Sequence, residues 1–450
     1  MKITFLGAAG TVTGSKFLFT GKKSKVLIDC GLFQGLKPLR LRNRENMGFK
    51  PSTLDAVLLT HAHLDHSGYL PLLIKQGFKG KVYCTSSTLA LCNILLPDSG
   101  YIQEEDARYA NRMGFSKHSP ALPLYTKADA EESLKSFESV DFNAPMKIGE
   151  LEITYFPAGH ILGAASVQVA CSGKTFLFSG DLGRPNDILM TAPEPPPRAD
   201  YVIMESTYGD RKHPEASPLT QLAELINRTI SRGGTLLIPA FAVGRAQMLI
   251  YAIHRLRSEN AIPTVPLILD SPMATDVTSL YQGALGQHRL SKKETKEVFG
   301  IVRHIRSTEE SKSLSQNTKP KIIISASGML TGGRILHHIQ RFAIHKKNSI
   351  CLVGFQAAGT RGASLLAEVK SLKIHGRLVP IRSEVYYLDG LSAHADQHEL
   401  TDWLKKIGSV KKVYLVHGES EASDGLRKHL HKATGKEPHV VKDGETIEFN

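Results

Sequence analysis

The chain has 450 residues, enough for two or three domains with a sizeable buried core. Hydrophobic residues at 41% and charged residues at 22% exclude wholesale disorder, a collagen repeat and a coiled-coil rod, and no apolar run reaches the ~18–20 residues of a membrane span. The 5 cysteines form no Cys-x-x-Cys pair and suit core thiols in a reducing cytoplasm, while a net charge of +13 favours phosphate-bearing partners.

In chain order, the opening MKITFLG reads as a strand over 2–6 rather than a signal peptide. Short strands follow at 17–19, 25–30, 56–60 and 81–84, and then at 151–156, 166–170, 175–179 and 201–204. The run APEPPPR at 192–198 reads as a stiff loop. Beyond Glu205 the pattern changes to helices at 219–231 and 246–257 and buried strands at 234–239, 266–269, 321–325 and 349–354. That rhythm predicts a doubly wound layer. Its strand ends run into small-residue loops at 240–245, 270–273, 325–334 and 354–361, which carry Arg245, Arg334 and Arg361 and suit an anion. Residues 286–382 hold 18 lysines and arginines against 5 glutamates, which accounts for the whole net charge and predicts a surface facing nucleic acid.

The strongest local signal is THAHLDHSG at 60–68, directly after the apolar VLL. It brings His61, His63, Asp65 and His66 into one small volume. Neutral imidazole and carboxylate suit Zn²⁺, with Fe²⁺ or Mn²⁺ as alternatives, and this many donors fits two metals better than one. His160 in FPAGH and Asp181 in FSGD each follow an apolar strand with a glycine before them, and Asp29 occupies a similar place in LIDCG. Singly, each reads as a turn aspartate or a capping histidine; with the cluster they are the expected remainder of a binuclear site.

This set, with ESTYG at 205–209, SAHAD at 392–396 and HGE at 417–419, resembles the metallo-β-lactamase superfamily and, within it, the β-CASP branch of nucleic-acid-processing enzymes. The HxHxDH motif alone marks the superfamily; the other three, in this order, are far more specific. The resemblance implies an α/β protein: an αββα sandwich built from 1–207 and 386–450, with a doubly wound β-CASP domain inserted at 208–385. It implies that His61, His63 and His160 hold one zinc, that Asp65, His66 and His417 hold the other, and that Asp181 bridges them while Asp29 orients the site by hydrogen bonds. A histidine at 417, where the DNA-repair branch has valine, leans toward RNA. His63 stands where oxygen-reducing di-iron relatives carry glutamate, which argues against redox chemistry. Length and ends resemble compact bacterial members.

The activity implied is that of a cytoplasmic zinc-dependent ribonuclease acting on single-stranded RNA, endonucleolytic or 5′-exonucleolytic, without a membrane and with pairing of two chains left open. Hydroxide generated between two metals would attack phosphorus, with Asp65 among the catalytic ligands. His394, held by Glu205, would protonate the departing 3′-oxygen. Arg245 and Arg334, with the loops Ser327, Gly328, Met329 and Gly359, Thr360, Arg361, are expected to hold neighbouring phosphates. Two other readings are a small-molecule metallohydrolase for thioesters or lactones, which leaves the basic segment without a role, and a non-catalytic RNA-binding subunit, whose kind has lost ligands that this chain keeps.

Overall fold

Ile3 and Phe5 are fully buried while Lys2 is exposed, so the alternation read at the start of the chain is the inward face of β1 (Lys2–Phe5). A computed structural model describes residues 1–114, 119–214, 216–357 and 359–449. From β1 the chain continues through β2 (Phe17–Thr20), β3 (Lys25–Ile28), β4 (Ala56–Leu58), β5 (Lys81–Thr85) and β6 (Phe137–Val140), which all lie in one sheet. A second sheet is built from β7 (Met146–Ile148), β8 (Leu151–Pro157), β9 (Ala165–Cys171), β10 (Lys174–Phe178) and β11 (Tyr201–Glu205). Phenylalanines at alternate positions join the two sheets. Phe19 meets Phe176 edge to face with centroids 5.1 Å apart, and Phe17 stacks on Phe178 at 6.2 Å. Burying each such ring stabilises the sandwich by about 1.5–3 kcal/mol.

Next come β12 (Thr235–Pro239), β13 (Leu267–Leu269), β14 (Val302–His304), β15 (Lys321–Ser325) and β16 (Ser349–Val353), then a hairpin of β17 (Ser371–Ile374) and β18 (Arg377–Pro380), then β19 (Glu384–Leu388). Apart from the hairpin these form one parallel sheet in the order β14-β13-β15-β12-β16-β19. Every residue of β12, β15 and β16 is buried, as a parallel sheet covered on both faces requires. On one face Leu237, Ile268, Ile323 and Ile350 pack against Ile335 and Ile339 of the helix Ile335–Phe342 and against Leu372, Ile374 and Val379 of the hairpin.

The last segment returns to the sandwich. β20 (Lys412–Val416) and β21 (His439–Val440) extend the second sheet beyond β11, and β22 (Thr446–Glu448) pairs with β1 in the first. The chain thus forms two compact units, Met1–Lys212 with His394–Asn450, and His213–Ala393. The boundary expected at 385 falls inside β19, whose parallel pairing with β16 keeps it in the inserted unit. Among the described residues, no helix is long and apolar enough to cross a membrane.

Candidate metal centre

Each donor of the centre leaves the carboxyl end of a strand of the sandwich or the short helix next to one. Asp29 follows β3, His61 and His63 follow β4, and Asp65 and His66 lie on the helix Leu64–Ser67. His160 follows β8, Asp181 follows β10, Glu205 ends β11, and His417 follows β20. Main-chain bonds knit these loops: Asp29 N–H donates to Leu58 O (3.0 Å), Cys30 N–H to His66 O (2.7 Å) and Ser15 N–H to Asp65 O (2.8 Å). Gly31 is required here, because a Cβ at that position would sit 1.5 Å from Asp65 O.

Two groups of donors result. The ligand-capable atoms of His61, His63, His160 and Asp181 all lie within 4.8 Å of one another, and so do those of Asp65, His66 and His417. Asp181 spans both. Its Oδ2 is 3.5 Å from His61 Nε2 and 3.6 Å from His160 Nε2, while Oδ1 is 3.3 Å from His66 Nε2 and 3.6 Å from His417 Nδ1. Around the second group, His66 Nε2 is 3.0 Å from His417 Nε2, and His417 Nε2 is 3.5 Å from Asp65 Oδ2. Asp29 lies behind His66, whose Nδ1 donates to Oδ2 at 2.7 Å and so turns Nε2 toward the centre.

These residues fit metal cations. Ring nitrogens face one another at 3.2 Å (His61 and His63) and 3.0 Å (His66 and His417), which is unfavourable for lone pairs unless a positive charge or proton lies between them. Asp181 Oδ1 is buried, and its contacts with His66 and His417 lack hydrogen-bond geometry. Burial, reinforced by His66, holds His61 well below the usual imidazole range, and burial pushes His63 down to about 4 against the pull of Asp65 and Asp181. Burial opposes ionisation of Asp65, but the hydrogen bond and charge of His417 together with His66 bring it down to about 2. Asp181 is likewise held well below the carboxylate range, burial being outweighed by His417 and His66. Neutral imidazoles at His61 and His63 beside ionised Asp65 and Asp181 are the ligand forms a divalent cation needs. At His66, by contrast, burial is outweighed by Asp181 and Asp29, which raise its pKa well above the usual range and so favour a positive charge at that place.

His394 stands beside the centre, its ring 4.4 Å from that of His160. Its Nδ1 is 3.2 Å from Glu205 Oε2 and 3.3 Å from Oε1. Leu182 N–H donates to Glu205 Oε1 at 2.6 Å and fixes the carboxylate. The His394 side chain is 19% exposed against 1% for Glu205, so only the imidazole can reach a substrate. Burial disfavours its charge, yet Glu205, with Asp181 and Asp65, raises its pKa above the ordinary value.

The expected phosphate-binding residues lie in the inserted unit and fall into two kinds. Arg334 and Arg361 turn their guanidinium groups inward. Arg334 donates to the buried Asp270 carboxylate (2.8 Å) and to the carbonyls of Ile305 and Arg306, and Arg361 to the carbonyls of Leu330, Thr331 and Lys373. Both therefore clamp main chain where the sequence suggested an anion contact. Arg245 is buried with its guanidinium against Gly354, and Thr360 caps the helix Arg361–Leu366, its Oγ1 accepting from Ala363 N–H. Gly359 precedes it in the left-handed region (φ 80°), in a loop whose residue 358 lies outside the described residues. The loop at 327–331 differs. Its carbonyls at Gly328, Met329, Leu330 and Thr331 accept from Gln356, Gly362 and Arg361, while the N–H groups of Gly328 and Met329 have no acceptor among the described residues.

Sequence reasoning missed three hydroxyls. Ser15 and Thr60 donate to Asp29 Oδ2 at 3.3 and 3.0 Å, and Thr207 Oγ1 lies 3.1 Å from His417 Nδ1. Thr60 and Thr207 had a signal, the one directly before His61 in THAHLDHSG and the other two residues after Glu205 in ESTYG, whereas Ser15 had none.

A two-sheet sandwich with a shared carboxylate between two imidazole groups at its strand ends defines a metal-dependent hydrolase. Residues 10–219 match the metallo-beta-lactamase superfamily, 246–365 the Beta-Casp domain and 378–441 the Zn-dependent metallo-hydrolase RNA specificity domain. The chain is 38% identical to Ribonuclease TTHA0252 of Thermus thermophilus, over 99% of this chain and 100% of that protein. It belongs to the β-CASP family of the metallo-β-lactamase superfamily. It is also 30% identical to the transcription termination factor FttA of Methanocaldococcus jannaschii, over 96% of this chain and 70% of that protein. Cleavage and polyadenylation specificity factor 73 of Drosophila melanogaster is 28% identical, over 96% and 62%. The fold is shared with a crystal structure of a protein of unknown function from Enterococcus faecalis V583, at TM-score 0.54 and 14% identity over 99% of each chain.

Proposed function

We propose that the chain is a zinc-dependent ribonuclease that hydrolyses phosphodiester bonds of single-stranded RNA. The observation that carries this reading is Asp181 shared between two donor groups, with the His394–Glu205 pair beside them. The names of the relatives support RNA as the substrate: a ribonuclease, a transcription termination factor and a cleavage and polyadenylation specificity factor.

His61, His63 and His160 would hold one ion and Asp65, His66 and His417 the other, with Asp181 common to both. When bound, such a pair of cations lowers the pKa of water and offsets charge on phosphoryl oxygens. The chain's own residues do the rest. Asp29 fixes the tautomer of His66, as Thr207 orients His417. Glu205 engages His394 Nδ1, which leaves Nε2 to give its proton to the departing 3′-oxygen, and the products carry 5′-phosphate and 3′-hydroxyl ends. On the inserted unit, the N–H groups of Gly328 and Met329 suit a phosphate of the RNA.

The test combines metal analysis with cleavage of 5′-labelled RNA and matching DNA bearing monophosphate or triphosphate ends. Two zinc ions per chain with cleavage of RNA alone is the expected result. Mononucleotides from monophosphate RNA identify a 5′-exonuclease and sharp internal bands an endonuclease. Turnover of thioesters or lactones without RNA cleavage refutes the proposal.

A further inference from the structure

Residues 369–383 contain four lysines and arginines and no carboxylate. They form the β17–β18 hairpin, which Leu372, Ile374 and Val379 anchor to Ile335 and Ile339. Because strand residues alternate, Lys373 and His375 are thrown outward, and both are exposed. The His375 ring stacks on His337, itself exposed on the helix Ile335–Phe342, with centroids 4.9 Å apart and planes inclined by 20°. Lys312, Lys373 and Arg377 are exposed, and no carboxylate among the described residues forms an ion pair with them. Burial, then His375, His338 and Lys312, lowers the pKa of His337 and so favours the uncharged ring.

We propose that this outer face of the inserted unit is a second RNA-binding surface, in which the stacked His337 and His375 take a base while Lys312, Lys373 and Arg377 take phosphates. Cations around an open aromatic plane match single-stranded nucleic acid, since any base has a face to stack and each nucleotide adds a charge. An acidic protein would use the cations and leave the ring plane without a role. Continuity supports the same occupant. Arg361 donates from Nε to Lys373 O (2.9 Å) and from Nη1 to Leu330 O (3.0 Å), so one guanidinium joins the hairpin to the loop that presents the Gly328 and Met329 N–H groups. The inference rests on RNA as substrate and adds a second place on the inserted unit where RNA is held.

The experiment measures binding by fluorescence anisotropy over a salt series, using metal-loaded full-length protein that carries His394→Ala to suppress cleavage, with single-stranded RNAs of about 20 and about 4 nucleotides. In K373Q/R377Q the slope of log affinity against log salt is expected to fall by about 1.4 for the long RNA, two contacts at about 0.7 each, and to be unchanged for the short one. K312Q should remove about 0.7. H375A should weaken long-RNA binding about 5- to 100-fold at an unchanged slope, the loss of one stacked base. Unchanged slopes in properly folded K373Q/R377Q and K312Q overturn the proposal. So does an equal loss of polyglutamate binding with no effect of H375A, which would assign the face to an acidic protein. If the wild-type protein neither binds nor cleaves either RNA at low salt, the substrate reading itself has failed.

Discussion

Replacing Asp29 by asparagine tests how the centre is held, because it changes one oxygen into an NH₂ without changing shape. Asp29 accepts four hydrogen bonds in a buried pocket: Thr60 N–H at Oδ1 (2.8 Å), and His66 Nδ1 (2.7 Å), Thr60 Oγ1 (3.0 Å) and Ser15 Oγ (3.3 Å) at Oδ2. If the amide carbonyl stays on Thr60 N–H, the new NH₂ faces His66 Nδ1. Two donors cannot share that contact, so His66 must move its proton to Nε2, the atom that points at His417 and Asp181. Losing a partner of this kind weakens metal binding about 10- to 100-fold, or about 1.4–2.7 kcal/mol. Metal content measured by mass spectrometry along a chelator titration should show the ion of Asp65, His66 and His417 leaving at 10- to 100-fold lower chelator than in the unchanged protein, and the ion of His61, His63 and His160 staying. Release of both ions at the original chelator concentration would refute the role given to Asp29.

Other changes separate chemistry from scaffolding. His394→Ala should lower kcat about 10²- to 10⁴-fold with metal content unchanged, and loss of metal along with rate would remove the proton-donor assignment. Gly31→Ala places a Cβ 1.5 Å from Asp65 O, so soluble yield and metal occupancy should both collapse; a normal Tm with full metal would contradict the packing. Asp270→Ala leaves Arg334 and the buried His338 without their carboxylate and should cost the inserted unit about 3–5 kcal/mol in urea denaturation. In the unchanged protein burial opposes ionisation of Asp270, but His338, Ser311 and Arg334 hold its pKa below 3.8. Its contribution is therefore complete above the unfolded value and lost as pH falls through the lower folded one, so acid sensitivity below about pH 4 should be weaker in the alanine variant.

The central strands were readable because burial on one face imposes period two and burial on both gives a continuous apolar run. Predicted strands at 17–19, 151–156 and 321–325 match β2, β8 and β15 within a residue or two at each end. The helix Ser86–Met113 was not readable: Pro97 lies inside it, and its second half exposes Tyr101, Ile102 and Tyr109, which blurs any apolar stripe. The β17–β18 hairpin also escaped, since charged residues crowd its outer face and its turn is His375–Gly376 rather than a familiar turn pair. At the centre, residue type and position in or after a strand-end motif pointed to every donor of the two groups except His417, which only the resemblance to the family supplied. What the arginines do was hidden, because a basic residue in a glycine loop looks alike in sequence whether it faces a ligand or, like Arg334 and Arg361, a carbonyl.

His61, His63, His160 and Asp181 are all in the chain before the insertion begins, whereas His417 comes after it. A ribosome making this protein therefore completes one donor group before the insertion is translated and the other only after it. During that interval the nascent chain lacks His417, and it also lacks His394, for which we propose the proton-donor role. The second donor group can therefore close only once the two stretches of the sandwich, separated in the chain by the whole insertion, have come together.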